Sequence, residues 1–145
     1  YESKDVRGAV RKAVDFGLAT RRTRWFPSVK KTLAELRKKG YRLGLISNTH
    51  WRITDDVRKE FEKFFDVVTL SYEHGYAKPY PSIFLTTVER LGVNANQCLH
   101  VGDDPIADVQ GAKSAGMKAV FIKRTNVRSD ADVEIGRIAE LEAFL

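Results

Sequence analysis

The run His100-Val-Gly-Asp-Asp-Pro-Ile-Ala-Asp108 brings together residues able to hold a cation. A short apolar stretch stops at Gly102, and the carboxylates of Asp103, Asp104 and Asp108 follow within six positions. Carboxylates sharing a small volume repel one another unless a cation or a proton lies among them. A hard divalent ion such as Mg²⁺, which takes oxygen ligands, suits such a cluster. Two of the acids also have plainer roles. Asp104 before Pro105 fits an N-cap with proline at the first helical position. Asp108 falls in the first turns, where the helix dipole favours negative charge. A cap needs one carboxylate, whereas this turn carries two before the helix starts, so Asp103 is the residue that points to a cation.

Two further polar sites have matching chemistry. The Ser47 hydroxyl, beside Asn48, can bond a phosphoryl oxygen, and the Lys78 ammonium can offset its charge. A carboxylate-held Mg²⁺ could polarise the same group. Phosphoryl transfer asks a protein mainly for positioning and charge stabilisation. The plainer alternatives are a loop cap for Ser47 and a surface lysine ahead of a proline turn for Lys78. His50 and His100 lack partners at ligand spacing and read as structural. Cys98 reads as a small packed hydrophobe.

The elements that must position these groups follow from periodicity and turn residues. Val6, Val10, Val14 and Leu18 recur every four residues, which predicts an amphipathic helix over 3–18. A basic, aromatic connector over 20–27 ends at Pro27. Ser28 is expected to cap a helix through Lys39 with Val29, Leu33 and Leu36 on one face and Gly40 as its stop. Strands are predicted at 42–47, 66–70, 98–102, 118–122 and 133–135. Helices are predicted at 54–64, 81–91, 105–115 and 138–145, with a loop over 71–81. Strands alternating with helices imply a parallel sheet covered on both faces. Ligands of such folds gather at the carboxyl ends of the strands. Ser47-Asn48, Lys78 and Asp103-Asp104 all fall just beyond strand ends or in the loops that follow.

With 145 residues, the chain is long enough for one domain with a real core. Its 43% hydrophobic and 30% charged content is that of an ordinary globular protein. No apolar run is long enough to span a membrane. One cysteine excludes an internal disulfide and suits a reducing, cytoplasmic setting. The net charge of +6 invites a nucleic-acid reading. The basic residues are, however, interleaved with acids along helices, and the densest cluster (Arg21, Arg22, Arg24, beside Trp25) reads as a solvated face. Neither nucleic acid nor a membrane is an expected partner.

The residues also carry a family resemblance over about 25–145. LGLISNT (43–49), HGYAKPYPSIF (74–84) and HVGDDPIADVQGAKSAGM (100–117) resemble the second, third and fourth motifs of the haloacid dehalogenase-like hydrolases, specifically the helical-cap subfamily. The resemblance implies a Rossmann-like α/β core over 25–145, with 1–24 as the tail of the cap region. It implies that Ser47 bonds the phosphoryl oxygen, assisted by Asn48, and that Lys78 stabilises the nucleophile and the developing charge. Asp103 would ligate Mg²⁺, with Asp104 or Asp108 as second ligand or support. The implied parent is a Mg²⁺-dependent phosphatase of a small phosphorylated metabolite, working through an aspartyl-phosphate.

Two departures stand out. The usual Pro-Asp-Pro after the lysine is here Pro79-Tyr80-Pro81, which removes a helix-capping carboxylate worth about 1 kcal/mol unless Ser82 substitutes. The first motif, a DxD sequence ending an N-terminal strand and carrying the nucleophile, is absent. Asp130-Ala-Asp132 follows no apolar strand, and Asp55-Asp56 opens a charged helix. In the family that first strand is central, between the strand at 42–47 and the strand at 98–102. The chain alone is therefore expected to be inactive, with the strand and nucleophile supplied by a missing upstream segment or by a second chain. The alternative is a non-catalytic module or one half of a split protein.

Overall fold

Leu45 and Ile46 are adjacent in the chain yet belong to opposite cores, as do Val120 and Phe121. Successive strand side chains point to opposite faces, so unbroken apolar runs make strands buried on both sides. The computed structural model describes residues 14–17, 22–49 and 53–145 and builds the fold from such strands.

In chain order the elements are β1 (Val14–Gly17), β2 (Arg22–Trp25), α1 (Val29–Lys38), β3 (Gly44–Ser47), α2 (Asp55–Glu62), β4 (Val67–Leu70), a short α3 (Ser71–His74) and α4 (Pro81–Leu91). A 3₁₀ turn at Ala95–Gln97 leads to β5 (Leu99–Gly102). A π-helical segment, Pro105–Gln110, then runs directly into α5 (Gly111–Ser114). After β6 (Lys118–Ile122) and β7 (Val133–Ile135), the chain closes with a 3₁₀ segment, Ile138–Phe144.

β3 pairs with β4, and β5, β6 and β7 pair in that order; all of these ladders are parallel. One core, including Leu33, Leu36, Phe61, Val101 and Leu141, lies under α1, α2 and the C-terminal segment. The other, including Ile83, Phe84, Val109 and Phe121, lies under α4 and the helix that follows β5. The predicted α/β architecture is therefore present, with helices on both faces. Among the described residues no ladder joins β3 to β5.

Several expectations are corrected. The part of the 3–18 helix that falls within the described residues, Val14–Gly17, is a strand paired antiparallel with β2, Val14 opposite Trp25. A spacing of four is also a multiple of the strand period of two, so the same valines satisfy either element. The pairing likewise makes Arg22–Trp25 a strand within the expected connector. The rest of 3–18 lies outside the described residues, and so do the side chains of Arg21, Arg22 and Arg24.

Ser28 occupies the N-cap position of α1 but makes no side-chain cap bond, because its backbone is left-handed (φ 70°). The 71–81 loop contains the short α3, and the last predicted helix is 3₁₀. The start and stop signals of α4 hold, with Pro81 at its first turn and Gly92 in the left-handed conformation just past its end (φ 66°).

Candidate active site

Ser47 ends β3 and is buried, 3% exposed. The next residues join this strand end to the loops after β4. Asn48 Nδ2 donates to the Lys78 carbonyl (2.9 Å), and the Lys78 amide donates back to Asn48 Oδ1 (2.8 Å). The Thr49 amide donates to Ser71 Oγ (2.9 Å), whose hydroxyl donates to the Thr49 carbonyl (2.8 Å). Asn48 therefore holds the backbone of the lysine loop in place.

Lys78 is not a surface lysine: its side chain is 0% exposed and its Nζ lies 2.5 Å from Asp108 Oδ1. The same oxygen accepts from His100 Nε2 at 3.3 Å, while Asp108 Oδ2 accepts the backbone amides of Asp103 and Asp104, each at 3.0 Å. Asp108 thus fixes the acidic turn from below and the lysine from the side. Burial, the largest single influence, pushes its carboxyl up. The Lys78 ammonium and the His100 bond outweigh that and hold it well below the usual carboxylate range. A Cβ at Gly102 would overlap the Asp108 carboxyl, so the strand must end in glycine for this contact to form.

The three acids have separate jobs. Asp104 Oδ1 accepts the amides of Ile106 (2.9 Å) and Ala107 (2.8 Å), which is the capping role. Asp108 is saturated by four donors from within the chain. Asp103, its side chain 3% exposed, pairs through Oδ2 with Arg124 Nε at 3.3 Å. Among the described residues no three His, Cys, Asp or Glu side chains converge to hold a metal.

Two contacts escaped the sequence reading. His100, expected to be structural, touches Asp108 in the centre of the site and stacks edge-on against Phe84 (5.1 Å between ring centres). Its signal is strand alternation, which puts positions 100 and 102 of β5 on one face. Arg124 follows the end of β6 beside the end of β5, and that adjacency is tertiary. His50 lies outside the described residues.

A parallel sheet with a serine closing one strand, an acidic turn closing another and a buried lysine between them has clear relatives. The family model for haloacid dehalogenase-like hydrolase matches residues 4–116, and the chain belongs to that family. It is 39% identical over 101 residues to a glyceraldehyde 3-phosphate phosphatase of Pyrococcus abyssi, covering 67% of this chain and 42% of that protein. It is 30% identical over 131 residues to a phosphoserine phosphatase of Thermus thermophilus, covering 83% and 51% respectively. The solved structure of a HAD phosphatase from Thermococcus onnurineus superposes with a TM-score of 0.73 at 37% identity, over 84% of this chain and 58% of that one. The chain thus spans about half the length of the relatives it matches.

Proposed function

We propose that this chain is the larger part of the core of a phosphatase acting on a small phosphorylated metabolite in a reducing, cytoplasmic setting. The observation that carries this reading is the buried Lys78–Asp108 pair, held beside Ser47 by the Asn48 clamp. In it the Ser47 hydroxyl donates to a phosphoryl oxygen, and the Lys78 ammonium offsets the charge that develops there. Asp108 and His100 keep the lysine directed, and Asn48 fixes its loop. The nucleophile is a carboxylate outside these 145 residues, on which an aspartyl-phosphate would form and be hydrolysed. If the parent uses Mg²⁺, Asp103 is its candidate ligand here, with Asp104 or Asp108 as second ligand or outer-shell support.

The test is turnover of a panel of small phosphomonoesters by a protein carrying the upstream residues. Lys78→Ala and Asp103→Asn should each abolish hydrolysis, and near-normal rates with either would sink the reading. The 145-residue chain alone should show no turnover.

A second reading is favoured by one observation: β3 and β5 each have a single ladder partner among the described residues. A strand from another chain could complete the sheet, which makes this a split-protein half or a non-catalytic module. Light scattering that finds a lone monomer, with no copurifying polypeptide, would count against it.

A further inference from the structure

A cavity of about 250 Å³ opens beyond the end of β6, between the turn that precedes α1 and the C-terminal 3₁₀ segment. Its wall includes Phe26, Ser28, Ile122, Arg124, Arg137 and Ile138, and both of its charged residues are arginines. Arg124 lies over the Phe26 ring, its Cζ 4.6 Å from the ring centre. It reaches Asp103 through Nε (3.3 Å), and Arg137 reaches Glu140 through Nε (3.4 Å). Besides Nε, each guanidinium carries terminal Nη donors whose planar arrangement suits a carboxylate or phosphate. Each guanidinium already pairs with one acid, Asp103 or Glu140, so a bound anion would share its charge.

The remaining lining suits the same kind of ligand. Ser28 brings a hydroxyl to the rim, and its left-handed backbone leaves the start of α1 without a side-chain cap. Phe26, Ile122 and Ile138 add apolar surface to the wall beside the two guanidiniums. The volume lies below the roughly 300–1,000 Å³ of drug-sized ligand sites, which favours a small anion over a nucleotide or a large cofactor.

We propose that this cavity is an anion site, taking a phosphate or carboxylate group between Arg124 and Arg137, and that Arg124 couples it to Asp103. One guanidinium can serve both acceptors, so the anion and Asp103 share its charge. Occupancy then alters the electrostatics of the acidic turn, and by linkage any change at Asp103 alters anion affinity. Through Arg124 and Asp103 the cavity adjoins the acidic turn of the candidate active site, and the proposal does not depend on the phosphatase reading.

Calorimetric titration of the 145-residue protein with inorganic phosphate at low ionic strength tests the idea. A saturable binding phase weakened at least tenfold by Arg137→Ala and by Arg124→Ala is expected, distinct from any phosphate bound at Ser47, which Ser47→Ala removes. Arg137 is largely exposed, 80% by side chain, so its removal should leave the unfolding midpoint in place and isolate the binding effect. In NMR spectra the Arg124 Nε–H signal should shift on phosphate addition in the wild type and in Ser47→Ala. Absence of saturable binding would overturn the proposal. So would binding lost in Ser47→Ala but kept in both arginine variants, which would put the anion at the Ser47 site instead.

Discussion

The Lys78 ammonium and the Asp108 carboxylate meet 2.5 Å apart with side-chain exposures of 0% and 1%, although thirty positions separate them in the chain. A buried ion pair is not by itself a large source of stability, because both charges must be desolvated. Removing one partner is costly, since it leaves the other charge buried. Asp108→Asn should destabilise the fold by about 3–5 kcal/mol, and Lys78→Met by less, because Asp108 keeps His100 and two backbone amides. The double variant should be more stable than the sum of the single losses predicts. Urea unfolding of all four proteins measures that coupling.

Acid should act on the same residue. The folded Asp108 carboxyl is held below its unfolded value, so its contribution is fully present above the unfolded carboxylate pKa of about 3.9. It is lost as pH falls below that value, where the unfolded chain binds a proton that the folded chain refuses. Unfolding free energy should therefore decline below about pH 5, with a shallower decline in Asp108→Asn. An equal slope in both proteins would contradict the assignment.

Gly102→Ala tests the end of β5. The added methyl overlaps the Asp108 carboxyl, so either the strand end or Asp108 must shift. A loss of about 1–3 kcal/mol is expected. The amides of Asp103 and Asp104 should lose hydrogen-exchange protection, because Asp108 is their acceptor.

Tyr80→Asp should do the opposite. Tyr80 stands at the N-cap position of α4 (φ -58°, ψ 127°) with no side-chain cap bond, and it is 61% exposed. An aspartate there can accept from the first turn, and a gain of about 1 kcal/mol is expected, read as a higher urea midpoint at unchanged slope.

Legibility varied with the range of the interaction. β6 and α4 carry local signals, apolar runs or periodicity bounded by Gly116, Pro81 and Gly92, and their predicted bounds are the observed ones. Lys78 and Asp108 were recognisable by motif and spacing. Their mutual contact follows from side-chain packing beneath the strand ends. Arg124 was invisible for the same reason: its partner Asp103 belongs to a different strand end. Val14 shows the converse failure, a local period that two kinds of element satisfy equally and that only pairing with Trp25 resolves.

The interruption between β3 and β5 divides the described parallel ladders into two cassettes, β3–β4 and β5–β6–β7. Lys78 is tethered to the first through Asn48, and Asp108 belongs to the second through the amides of its own turn. The ammonium–carboxylate contact is therefore a rivet across a seam that no described backbone ladder crosses. Amides of β3 and β6 need not open in one cooperative event. Lengthening the seam by a single rotamer change at Lys78 would loosen one cassette from the other while leaving each ladder whole.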